Sequence, residues 1–209
     1  MKIFSIGDSL TAGSVGSSRG SSARAKDTFQ IYMEEVIKEQ FPEVELELRN
    51  FGVPGQTSHQ IIRRFSSVLS ADIIILMMGT NDCWIYGGNQ GTIKTQIEGV
   101  INNYEKAMRM FIAEKGQKHL ILCSLPLVDA KVGLSGMRDC ILAINERLAE
   151  YHTPNQNVYF CNFEEKLTDG EQNLKKSFHH GDGVHLTNKA LQLMGEKLAR
   201  LICSEILAK

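Results

Sequence analysis

The chain has 209 residues, 43% of them hydrophobic, which is enough for one sizeable core and excludes a disordered polymer. Its 23 Lys and Arg stand against 24 Asp and Glu, a formal charge of -1 that argues against a dedicated nucleic-acid binder. No run of about 18 apolar residues occurs, so no membrane-spanning helix is expected.

Residues 2–6 form the first predicted strand and run straight into Gly7-Asp8-Ser9-Leu10-Thr11-Ala12-Gly13. Glycine permits a sharp exit from a strand, which presents Ser9 at the sheet edge with its backbone N–H facing the same space, the geometry of a serine nucleophile. Residues 14–26 hold five Ser and two Gly and read as a mobile surface loop. The G-x-S-x-G string inside it, Gly16-Ser17-Ser18-Arg19-Gly20, has no strand before it and is read as accidental. Arg19, Arg24 and Lys26 read as solvated charges. Tyr32, Met33, Val36 and Ile37 make the stripe of a first helix.

A second strand is predicted over residues 44–50, followed by Asn50-Phe51-Gly52-Val53-Pro54-Gly55-Gln56-Thr57. Gly52 lacks a side chain, so its N–H can approach a developing negative charge. Ile61, Ile62, Phe65, Val68 and Leu69 share one helical face behind an N-cap at Thr57 or Ser58. The third strand, residues 72–78, is apolar from Ile73 to Met78, as expected of a central strand covered on both faces. Gly79-Thr80-Asn81-Asp82 follows it, and an Asn there can aim a side-chain N–H at the same point as Gly52. Trp84, Ile85 and Tyr86 come next as candidate pocket walls. The longest helix runs from Ile97 to Ile112 and ends by Gly116.

Residues 118–124 and 157–161 complete five strands, separated by a helix through Ile141, Ile144, Leu148 and Tyr151 that breaks before Pro154. The last helix, Leu191 to Leu201, has a predicted N-cap at Thr187. Just before it stands Asp182-Gly183-Val184-His185. A histidine three residues after a carboxylate can be oriented by it, and an oriented imidazole is the general base a serine hydroxyl needs. His179 and His180 read as solvated, and no metal site is expected. Cys83, Cys123, Cys140, Cys161 and Cys203 show no C-x-x-C spacing; reduced thiols and a cytoplasmic location are expected.

Strands alternating with helices mean a parallel sheet with helices on both faces, within one domain spanning 1–209. Ligands bind at the carboxyl ends of such strands. There the sequence places a nucleophile (Ser9), a base (His185), an orienting acid (Asp182) and three oxyanion donors (Ser9 N–H, Gly52 N–H and the Asn81 side chain).

In that set the chain resembles the SGNH-hydrolase superfamily, the GDSL esterases and lipases. The resemblance rests on Gly-Asp-Ser-Leu at 7–10, Asn-x-Gly-x-x-Gly at 50–55, Gly-x-Asn-Asp at 79–82 and Asp-x-x-His at 182–185. It implies a flavodoxin-like, three-layer α/β/α sandwich with a five-stranded parallel sheet of order 2-1-3-4-5, and the same catalytic and oxyanion residues. The expected activity is a serine esterase on short-chain carboxylic esters, O-acetyl groups on carbohydrates among them, with an acyl-enzyme on Ser9 and no cofactor. Leu10, Trp84, Ile85 and Val184 are the expected pocket residues, and a small-molecule ester the expected partner. The alternatives are a thioesterase or lysophospholipase on the same site. From another class, a flavin- or nucleotide-binding module would use the hydroxyls of Ser5, Ser9, Thr11 and Ser14, but leaves Asp182 and His185 without a task.

Overall fold

The short apolar runs of the sequence form five parallel strands: β1 (Lys2–Gly7), β2 (Glu47–Gly52), β3 (Ile73–Met77), β4 (His119–Cys123) and β5 (Val158–Cys161). Their order is β2-β1-β3-β4-β5, as expected. This computed structural model describes residues 1–13, 28–85, 90–114, 116 and 118–208, the side chains of 85 and 90–92 aside. Between the strands lie α1 (Ser9–Ala12), α2 (Phe29–Gln40), α3 (Ser58–Ile62), α4 (Thr80–Ile85), α5 (Gln90–Ala113) and α6 (Ser135–Ala149), and after β5 come α7 (Glu164–Leu167) and α8 (Asn188–Ile202). Helices α2 and α8 pack on each other, while α3 and α6 pack on α5 and α4 on α6, giving three layers around the sheet. No helix among the described residues is long and apolar enough to cross a membrane.

The core follows from the pattern. Every residue of β3 is buried, and so is β1 after Lys2, because both strands are covered on two faces. Strand β2 lies at the sheet edge and is only partly buried. It begins at Glu47, three residues later than expected, because Lys2 is its first partner and the Glu47 N–H donates to Met1 O at 2.9 Å. The α2–α8 contact is tight at Gly195, where a Cβ would stand 2.5 Å from Phe29 O and 2.8 Å from Tyr32 Cβ.

The apolar stripe from Ile61 to Leu69 is not one helix. Helix α3 ends at Ile62, and a tighter turn over Phe65–Val68, with Leu69 as its C-cap, carries the remaining apolar residues. The break falls at Arg64, whose guanidinium reaches back to the sheet. It donates to Gly7 O at 2.9 Å, Phe51 O at 2.7 Å and Gln56 Oε1 at 2.7 Å.

Candidate active site

Gly7, the last residue of β1, lies level with Gly52 of β2 and Met77 of β3. The segments that leave these three strands therefore start from one edge of the sheet, and Ser9, the 53–57 turn and Asn81 are neighbours by construction. Ser9 opens α1, with Asp8 as N-cap: its Oδ1 accepts the Leu10 N–H at 3.0 Å. Ser9 is 7% exposed, and among the described residues its N–H has no acceptor.

Asn50 ties β2 to this turn. Its Nδ2 donates to Thr11 O at 2.9 Å, and its Oδ1 accepts the Gly52 N–H at 2.8 Å. That second bond corrects one expectation, since the Gly52 N–H is already engaged and is not an open oxyanion donor. Gly52 is glycine for another reason: a Cβ would lie 2.2 Å from Ala12 N, so only glycine lets β2 pass this close to the nucleophile turn. Gly55, three residues on, is exposed, and its N–H has no acceptor among the described residues. Its turn is held from two sides, by Asn81 Nδ2 donating to Gln56 O at 3.0 Å and by Arg64 on the Gln56 side chain. An amide carries two N–H groups, so Asn81 keeps one for a ligand.

Asp82 anchors α4 beneath this point. Its carboxylate accepts the Ser58 N–H at 2.8 Å and the Ser58 hydroxyl at 2.7 Å, and Asn103 Nδ2 donates to Ser58 Oγ at 2.9 Å. Burial raises the Asp82 carboxyl above its ordinary range, and the two Ser58 bonds work against that rise. Asp8 has no exposed surface and is pushed up to about 6, by burial first and also by the nearby Asp82 charge. The Leu10 N–H, and to a lesser degree the charge of His185, pull it down.

Asp182 and His185 meet as expected, His185 Nδ1 lying 2.6 Å from Asp182 Oδ2. The other carboxylate oxygen accepts the N–H groups of Val184 at 3.0 Å and His185 at 2.9 Å. Burial pushes the Asp182 carboxyl up, but these bonds and the imidazole outweigh it and hold it below the usual carboxylate range. Because an ionised carboxylate only accepts, the ring proton sits on Nδ1 and Nε2 is left as a base.

Two expected pocket residues are not on the surface. Leu10 is 2% exposed, because the turn that lifts Ser9 outward sends the next side chain into the core, and Val184 is 5% exposed. Neither offers a substrate any appreciable wall. Trp84 does: it is 52% exposed and lines a cleft of about 270 Å³ with Gly133, Leu134, Gly136 and Met137. The Ile85 side chain and the 14–26 segment, with its Ser14 hydroxyl, its charges and its G-x-S-x-G string, lie outside the described residues. Ser5 and Thr11 are buried, so their hydroxyls form no open phosphate cradle.

Sequence reasoning misses Arg64, the 130–137 segment and His179. Val132 and Leu134 stand 2.4 Å and 3.2 Å from where a Gly183 Cβ would be, so this segment borders the 182–185 loop, yet no motif marks it. His179 is 7% exposed rather than solvated, and its partner Asp129 lies 50 residues away. Cys83, beside the Asn81 motif, is not a nucleophile. The Cys140 sulfur at 2.8 Å, followed by burial, pushes its thiol well above the ordinary range.

The three-layer parallel fold together with a family match over nearly the whole chain defines the class: this is a carboxylic ester hydrolase. The chain belongs to the GDSL-like lipase/acylhydrolase family, whose model matches residues 5–193. No curated protein matches it. Among solved structures it is similar to the lipase Lip_vut3 from a goat rumen metagenome, at 19% identity and a TM-score of 0.76 over 96% of each chain. A lipolytic protein of the G-D-S-L family from Desulfitobacterium hafniense is 20% identical, with a TM-score of 0.70 over 96% of this chain and 98% of that one. Axe2, an acetylxylan esterase from Geobacillus stearothermophilus, is 18% identical, with a TM-score of 0.70 over 96% and 93%.

Proposed function

We propose that this hydrolase is a serine esterase for short-chain carboxylic esters, O-acetyl groups on carbohydrates among them. The observation that carries the reading is the 2.6 Å contact between His185 Nδ1 and Asp182 Oδ2, which leaves Nε2 as the basic nitrogen of the ring. Ser9 Oγ attacks the ester carbonyl and passes its proton to His185 Nε2, while Asp182 steadies the imidazolium. The oxyanion takes the free N–H of Ser9, one N–H of Asn81 and, in place of Gly52, the N–H of Gly55. His185 then protonates the leaving alcohol, and water, deprotonated by the same ring, releases the acid from Ser9.

We take the half-exposed Trp84, which lies beside Leu134, as one wall for a small acyl or alkoxy group. Similarity to an acetylxylan esterase supports a small acyl group. Each methylene gains about 0.8 kcal/mol only where walls exclude water from it, so gains should stop early. A fluorophosphonate probe is expected to label Ser9, and Ser9→Ala to lose turnover with little change in stability. Across p-nitrophenyl esters, kcat/KM should peak between acetate and butyrate and fall by octanoate. A steady rise through octanoate would favour a thioester or lysophospholipid substrate, and a probe adduct away from Ser9 would overturn the mechanism.

A further inference from the structure

The loop that carries Asp182 and His185 is fastened by a second histidine. Nδ1 of buried His179 lies 3.0 Å from Gly181 N and 3.1 Å from Gly183 N. A backbone N–H can only donate, so Nδ1 must offer its lone pair to both, and the neutral ring then carries its proton on Nε2. Nε2 faces Asp129 Oδ2 at 3.3 Å, an acceptor that matches that N–H. Asp129 in turn donates its own N–H to Gly183 O at 2.9 Å. Gly183 is thereby gripped at its N–H by His179 and at its C=O by Asp129.

Gly183 sits between Asp182 and His185, with a φ of 75° and Val132 Cγ2 2.4 Å from where a Cβ would stand. Its conformation and its space both require glycine, so Gly183 has no side chain of its own to lock it there. The lock is supplied from outside. The two histidines of the loop consequently hold opposite tautomers, Nε2–H in His179 and Nδ1–H in His185. They cannot exchange tasks.

We propose that His179 is a positioning residue for ester hydrolysis: with Asp129 it clamps Gly183 and so sets the angle at which the Asp182–His185 pair meets Ser9. This rests on the acyl-transfer reading above. The Nδ1 lone pair is the part that matters, because it holds two N–H groups of the loop, whereas Nε2 only orients the ring. Asn places its Oδ1 near the position of Nδ1 and can accept from Gly181 and Gly183, but it cannot reach Asp129. Gln reaches toward Asp129 and leaves the two glycine N–H groups unpaired.

The test compares His179→Asn, His179→Gln and His179→Ala in the full chain. It reads p-nitrophenyl acetate turnover, backbone amide exchange at Gly181 and Gly183, and the ring ¹⁵N signals of wild-type His179. The wild-type ring should be protonated at Nε2 alone. His179→Asn should keep kcat within about threefold and protect both amides. His179→Gln and His179→Ala should lose tenfold or more in kcat with little change in KM, and both amides should exchange faster, since small misplacements of a base can cost up to about a hundredfold. Asn as impaired as Ala, or Ala as active as wild type, would overturn the proposal. So would a wild-type proton on Nδ1, which is readable even if His179→Ala fails to fold. Failure of the esterase reading would appear separately, as a wild-type chain that neither turns over the ester nor takes the fluorophosphonate, while the amide exchange would still report on the clamp.

Discussion

Asp8 stands next to the nucleophile, fully buried, with a carboxyl pushed up to about 6 from 3.8 chiefly by burial. Its folded-state value lies above that of the unfolded chain, so the native state binds the proton more tightly. Folding is therefore penalised above pH 6, by about 3 kcal/mol for a shift of this size, and the penalty fades as pH falls to 3.8. Asp8→Asn retains an oxygen for the Leu10 N–H and removes the charge. It should raise stability by up to about 3 kcal/mol at pH 8 and by nearly nothing at pH 3.5, measured by urea unfolding. Destabilisation at pH 8 would show instead that the charge itself caps α1. A stability cost accepted beside the reacting atoms fits the usual exchange between stability and activity.

Between α3 and β3 the controlling feature is Arg64. One guanidinium serves the ends of β1 and β2 and the side chain of Gln56, and through Gln56 it steadies the turn that presents Gly55. Arg64→Lys supplies one ammonium where a planar fork met three separated acceptors, so it should lose about 2 kcal/mol of stability or more, and kcat with it. Equal urea midpoints for Arg64→Lys and wild type would mean that water replaces the lost bonds. The same residue explains why the sequence reads as one helix from Ile61 to Leu69. All five apolar residues do face the core at helical spacing, and the break is imposed by carbonyls at Gly7 and Phe51 that no local pattern contains. Strand β3 was legible because burial on both faces leaves it uniformly apolar, whereas the start of β2 is set by Lys2 across the sheet. At the candidate site, Ser9, Asn81, Asp182 and His185 stand out in the sequence because each closely follows a strand or precedes a helix. That the Gly52 N–H is already engaged does not show there, since it depends on where the Asn50 side chain turns. Nor was His179, which takes its meaning from Asp129, 50 residues earlier.

At the scale of the molecule, the two halves of the candidate machinery enter from opposite ends of the sequence. Ser9 precedes α2 and His185 precedes α8, and the two helices are clamped together at Gly195, where Phe29 O leaves no room for a Cβ. Gly195→Val should lower stability by about 3 kcal/mol, because the helices must separate or shift, and it should slow fluorophosphonate labelling of Ser9 as the base drifts from the nucleophile. An unchanged urea midpoint would show that the crossing yields more easily than its spacing indicates. The packing also carries a consequence for biosynthesis. At roughly 5–20 residues per second, on the order of ten to thirty seconds separate the translation of the serine from that of its base. On the proposed mechanism, the nascent chain throughout that interval displays a hydroxyl with nothing to deprotonate it. A chain that stalls before His185 is made should then be chemically silent, so hydrolytic competence would double as a signal that the segment leading into α8 has been made and has reached its place.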